Sequence, residues 1–360
     1  MKKTTSSNRS YRYIVSITFN GVGISKAFQK SSVYKGSQSY TDSFEFDKNS
    51  CVIKALRSKK YDDGKICSTA KNTINTQIIK ALLCYYAVAT DYPTIKKISI
   101  IREQKKDGDY KYEETNSIIQ PIECNANRTK KCDFKVIDCI LEDTPRGQAI
   151  RIAMSYWLKG ISSDDTYYKF EHLWRAFNSI YTYHGNHRKE NDNLIEMRKF
   201  ILNNQDIFQR SIKIVAQYDL TQLSAFRWSR MILNDYDSES KTTALSEFIK
   251  RYSDYRIMQM LKEKIKCREQ YLKNAHLYDE VINHINLNTS IVDAELVTLL
   301  TIKYAYFVRN KLFHGEVLDG TFKIKENNRD SEIKTINGVL ETVIWDIIEY
   351  YDRLRDPSTI

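Results

Sequence analysis

Along Tyr11 to Phe19 the chain reads Tyr-Arg-Tyr-Ile-Val-Ser-Ile-Thr-Phe, placing Tyr11, Tyr13, Val15, Ile17 and Phe19 on one side. That period of two predicts a strand. Residues 1–10 are polar and expected to fray. Residues 20–43, rich in Gly, Ser and Lys, read as loop, and short strands are expected at 43–46 and 51–56. Between 69 and 90 the period changes: Ile74, Ile78, Leu82, Tyr85 and Ala89 recur at helical spacing, with Pro93 just beyond. Residues 98–102 read as another strand, and Asp107-Gly108 before Tyr110-Lys-Tyr112 signals a hairpin turn. The pattern over 131–141 alternates too loosely to assign a state.

From Pro145 onward the period is helical. Ile150, Ala153, Met154 and Trp157 mark a helix over 147–159, and Ser162-Ser-Asp-Asp165 supplies an N-terminal signal for the next. That next helix carries Phe170, Leu173, Trp174, Phe177 and Tyr181, an aromatic stripe on one face. A polar loop from Asn186 leads to a helix through Leu194, Met197, Ile201 and Leu202, and 212–273 holds several more helical patterns. Over 290–314, Val297, Leu300, Tyr304 and Val308 fall three or four apart, so one face is buried. Gly315 stands where a glycine commonly ends a helix, which puts His314 in the last turn. Residues 321–324 read as a short strand or a loop, and 336–354 as the closing helix through Val339, Val343 and Ile347.

Charge adds a division that periodicity does not show. Residues 1–140 carry 25 Lys and Arg against 14 Asp and Glu, whereas 141–360 carry 31 of each, so the net +11 lies entirely in the first part. A basic region of this kind faces a polyanion, nucleic acid first, or serves only solubility. The longest apolar run, 81–89, is far short of the roughly 20 residues needed to span a bilayer. Met1-Lys-Lys-Thr is followed by no apolar core of a signal peptide, so a cytoplasmic protein without membrane association is expected. Seven cysteines occur without a Cys-x-x-Cys, and His184 and His187 have no evident third ligand, so neither a disulfide framework nor a metal or other cofactor is expected. Lys35-Gly-Ser37 lacks the spacing of a phosphate-binding P-loop.

The chemistry converges on Arg309-Asn310-Lys311-Leu312-Phe313-His314-Gly315. On a helix Asn310 and His314 share a face and Arg309 lies about 100° around. A histidine near neutral pKa suits proton transfer, and an arginine grips phosphate in two places. An arginine, a polar residue and a histidine ending a penultimate helix, preceded by Leu173-Trp-x-x-Phe-Asn-x-x-Tyr181, resemble the HEPN superfamily, in particular a bacterial defence or toxin-like subgroup. The resemblance covers chiefly 148–185 and 291–355 and no motif of the first 140 residues.

The strand and helix patterns predict a small basic α+β domain over 1–140, and the resemblance implies a HEPN-like helical bundle over 145–356, so the fold is expected to be mainly α. Residues 190–288 would be a helical insertion, the alternative being a separate middle domain. It further implies a metal-independent endoribonuclease that is a homodimer through the motif helices. Arg309, Asn310 and His314 would be catalytic, with Asn178 and Lys311 lining the cleft. The expected partners are RNA, a second copy of the chain and a regulatory protein or antitoxin. The competing reading is a non-catalytic scaffold of the same fold that binds RNA or regulates.

Overall fold

In the computed structural model, which describes residues 11–33, 41–61, 65–68, 72–104, 110–114, 130–313 and 328–355, the alternating stretch Tyr11–Phe19 forms strand β1. Tyr13, Val15, Ile17 and Phe19 are buried, as their spacing requires. β1 pairs antiparallel with β4 (Ser50–Arg57) on one side and β5 (Ile95–Gln104) on the other. With β2 (Phe28–Val33), β3 (Thr41–Asp47) and β6 (Tyr110–Glu114) the sheet order is β2-β3-β4-β1-β5-β6. The expected hairpin is seen as the β5–β6 pairing; its turn, Asp107-Gly108, lies outside the described residues, as do residues 1–10.

β2 corrects the loop expected over residues 20–43. Its inward positions are Phe28, Lys30 and Ser32, an alternation too polar to read from sequence. Phe28 stacks on Phe46, and polar bonds hold the other two: Ser32 Oγ donates to the Leu141 carbonyl at 2.6 Å and Lys30 Nζ to Asp138 at 2.6 Å. Both partners lie on α2 (Val136–Leu141), the helix within the stretch that periodicity left unassigned.

Helix α1 (Thr73–Val88) starts at Asn72, whose side chain accepts from the Ile74 N–H, and packs against β4, α2 and α3 (Pro145–Ser162). Tyr85 stacks on Phe19 with ring centroids 4.0 Å apart. Arg57, buried here, grips Asp42 with both terminal nitrogens, at 2.8 and 2.6 Å, and Gln77 donates to Asp42 at 2.7 Å. α3 begins at Thr144 and Pro145 and joins this first compact unit, Met1–Asp164 with Tyr351–Ile360, which therefore runs on past residue 140.

The second unit, Asp165–Tyr350, is helical throughout its described residues. It contains α4 (Thr166–Gly185), α5 (Glu190–Asn203), α6 (Gln209–Val215), α7 (Leu220–Ser224) and α8 (Trp228–Asp235). Then come α9 (Thr242–Lys250), α10 (Tyr255–Lys264), α11 (Glu269–Asn274), α12 (Tyr278–Leu287) and α13 (Asp293–Thr298). A π-helical turn, Leu299–Tyr304, leads directly into α14 (Ala305–Phe313), and α15 (Asn328–Glu349) follows. Asp165 caps α4 through the Tyr168 N–H at 2.6 Å, where the sequence signalled a helix start.

α15 is the core of this unit. Ile333, Ile336, Val339, Leu340, Val343, Ile344, Ile347 and Ile348 are all fully buried. It starts some two turns before the expected residue 336, because 328–335 has only Ile333 to mark a buried face. Its buried carboxylates fix neighbouring helices in register: Asp346 accepts from Arg210 and Ser211, Glu341 pairs with Lys169, and Glu332 pairs with Arg227. Arg256 bridges Asp254 and Asp293, tying α10 to α13. Such buried pairs contribute registry more than net stability. Residues 190–288 fall in the same compact unit as α4, α13, α14 and α15. Among the described residues no helix is long and apolar enough to cross a membrane.

Candidate functional site

The helix bearing the motif is held from beneath. Val297, Leu300, Tyr304 and Val308, the four positions assigned to its inner face, are all fully buried. Tyr304 packs between Trp228 (4.4 Å between centroids) and Phe226 (5.1 Å). Its hydroxyl donates to Glu332 and accepts from the Arg227 N–H at 2.9 Å. Burial first, then the Glu332 carboxylate, pushes that hydroxyl far above the ordinary tyrosine range. The π turn ends at Tyr304 and adds one residue to the winding, which resets the direction of every side chain in α14. The 3–4 spacing gave no sign of it.

Downstream of that turn consecutive residues diverge by about 100°. Arg309 Nη1 donates to Asn310 Oδ1 at 2.9 Å, and its guanidinium lies 5.8 Å from the centre of the Tyr306 ring. Tyr306 in turn packs on Trp174 of the aromatic stripe, 6.1 Å between centroids. Tyr181, one turn on from Asn178, donates to Glu190 Oε1 at 2.6 Å, and Tyr306 reaches Glu190 Oε2 at 3.4 Å. Burial and then the Glu190 carboxylate drive the Tyr181 hydroxyl upward, with nearby Arg309 pulling it back. This places Arg309 and Asn310 beside an aromatic wall with one carboxylate set into it. The Trp174 indole N–H, 2% exposed, has no acceptor among the described residues. A buried orphan donor of this kind marks either a cost or a missing partner.

The remaining expected residues fall in three places. Asn178 is half-buried on the Trp174–Tyr181 face of α4 and accepts from Thr182 Oγ1 at 3.0 Å. Lys311 turns away from Arg309 and lines a separate pocket with Arg227, Arg230, Asn234, Phe307 and Arg329. His314 lies outside the described residues, together with Gly315 and the segment 321–324. The two histidines set aside as metal ligands are part of the packing: His184 is buried against Phe200, 4.6 Å between ring centroids, and the His187 N–H donates to Asn193 Oδ1 at 2.7 Å. Gly185 permits that turn, because a Cβ there would come within 2.6 Å of the Asn193 Cα.

Sequence reasoning missed Glu190, Tyr306 and the three arginines. Glu190 stands at the end of a polar run that reads as loop, and nothing local separates it from Glu196 or Asp192. Arg227 and Arg230 are three apart beside Trp228, a spacing that suggests one helical face but not what the face meets. Comparison of the chain with family models, with curated proteins and with solved structures returns no match.

Proposed function

We propose that the chain is a metal-independent endoribonuclease of HEPN type. The observation that carries this reading is the Arg309–Asn310 pair, hydrogen-bonded at the end of a buried helix and set against the aromatic stripe of α4. The motif and the stripe, 130 residues apart in the chain, meet in one helical unit. Arg309 steadies the phosphorane charge, which a guanidinium does without ever losing its proton. His314 moves the protons: one is taken from the ribose 2′-hydroxyl as that oxygen attacks phosphorus, and one is given to the departing 5′-oxygen. Products are a 2′,3′-cyclic phosphate and a 5′-hydroxyl. One chain supplies one motif histidine, so acid and base together call for a second copy of the chain packed through the motif helices. A toxin-like or anti-phage role, held in check by a regulatory protein or antitoxin, follows from the resemblance alone.

The excess of 11 positive charges in residues 1–140 favours a second reading, in which that region binds RNA and the helical unit only dimerises. Incubating a mixed RNA pool with wild type and His314→Ala in EDTA separates the two. Cleavage by wild type alone, leaving cyclic phosphate ends, supports the nuclease. Equal binding of RNA by both proteins with no cleavage by either supports the scaffold.

A further inference from the structure

On the other side of α14 from Arg309 lies a cavity of about 240 Å³ lined by Arg227, Arg230, Asn234, Phe307, Lys311 and Arg329. Arg227, Arg230 and Asn234 come from one stripe at the start of α8 and along it, Phe307 and Lys311 from one face of α14, and Arg329 from the first turn of α15. Four of the six are cations, and no carboxylate among the described residues lines the space. Burial, and then the neighbouring Arg227 and Arg230, push the Arg329 guanidinium down from its ordinary value. The fold therefore gathers like charges where each raises the cost of the others.

The arrangement is built, not incidental. Arg227 is fixed from behind: its Nε and Nη2 donate to Glu332 at 2.8 and 3.2 Å, and Glu332 also accepts from Tyr304. That holds the guanidinium plane at the cavity wall with Nη1 taking no part in the pair, so little freedom is lost when a ligand binds. Arg230 is exposed and enters no ion pair among the described residues. Arg329 stands in the first turn of the 22-residue α15, at that helix's positive end. Below the roughly 300–1,000 Å³ typical of sites for drug-sized organic ligands, the space suits a compact polyanion.

We propose that this pocket is a phosphate-binding site, distinct from the Arg309 side of the helix, that takes a phosphate group bidentately on Arg227, Arg230 and Arg329 with Lys311 as a fourth charge. Forked guanidinium donors match phosphate oxygens, and among the described residues the carboxylate behind the cavity is that of Glu332, which Arg227 already pairs. The phosphate comes from an RNA chain or from a free oligophosphate such as a nucleoside triphosphate. The site stands whether or not the Arg309 side cuts RNA.

The test is binding of inorganic triphosphate, of ATP and of a single-stranded RNA dodecamer, by calorimetry at low salt. The protein is the full chain carrying His314→Ala, so that nothing is cut. Adding Arg230→Glu, at an exposed position, should weaken binding by at least about tenfold, whereas Arg230→Lys should lose less. Arg329→Ala, checked for an unchanged melting temperature, should weaken it similarly. If triphosphate displaces the RNA, the occupant is a chain phosphate. If triphosphate binds with this arginine dependence while RNA binding ignores it, the occupant is a free oligophosphate. Binding of all three ligands that is absent, or indifferent to Arg230→Glu and Arg329→Ala alike, would overturn the proposal.

Discussion

Arg309 and Lys311 stand two residues apart on the same helix and meet opposite surroundings. Arg309 faces Tyr306, which packs on the aromatic stripe of α4 and reaches the carboxylate of Glu190. Lys311 faces three arginines across a cavity. A helix separates neighbouring cations by its winding alone, so a run of basic residues at a helix end is not one site but two. One side offers a single arginine with a hydrogen-bonded neighbour, suited to acting on one phosphate. The other offers many charges and suits holding phosphate without acting on it.

The contrast is sharpest for cations that are buried. Arg227 is paired with Glu332, whose side chain is 1% exposed, so Arg227→Ala should leave that carboxylate uncompensated and destabilise the protein by about 3 kcal/mol in urea unfolding. A loss under 1 kcal/mol would mean that Tyr304 alone satisfies Glu332.

In the first unit the same comparison separates Arg57, bound to Asp42, from Lys80, which is buried and donates to the Leu141 carbonyl at 2.8 Å. Burial, and then nearby Arg151, lower the Lys80 ammonium from 10.5 to about 8. The folded protein thus binds that proton more weakly than the unfolded chain. The penalty is fully present below pH 8 and disappears as pH rises from 8 to 10.5. Lys80→Met should therefore be the more stable protein at pH 7, by on the order of 2 kcal/mol, and should lose that advantage by pH 10. Denaturation of both proteins at the two pH values checks the sign. A constant difference would show that Lys80 titrates normally.

The smallest effect is expected at Glu190. Glu190→Gln keeps an acceptor for Tyr181 but removes the charge that strengthens that hydrogen bond, costing about 1 kcal/mol of stability. The Tyr181 hydroxyl should then titrate lower, and ultraviolet titration of the phenol would show no change if Glu190 were not its partner.

Much of this was written in period and capping. β1, α1, the stripe of α4 and the buried face through Val297 and Val308 follow from spacing, because each buries one apolar side. β2 was illegible because two of its three inward positions, Ser32 and Lys30, are held by hydrogen bonds and Phe28 alone makes apolar contact there. The π turn was illegible because an extra residue of winding leaves the 3–4 spacing of buried residues intact. Lys311 was expected in the cleft with Arg309, but two residues of regular winding on α14 turn it to the other side. Arg227, Arg230 and Arg329 come from helices up to 100 residues apart in the chain, and no local pattern announces that they meet.

The most direct test of the account is the cleavage rate in EDTA of Arg309→Ala and Arg309→Lys against wild type, at saturating RNA and with matched melting temperatures. Loss of the oriented guanidinium should slow single-turnover cleavage by roughly 100-fold or more, and lysine should not restore it, since it lacks the planar fork. Cleavage by either variant at close to the wild-type rate would contradict the assignment of the Arg309 side as the place where RNA is cut.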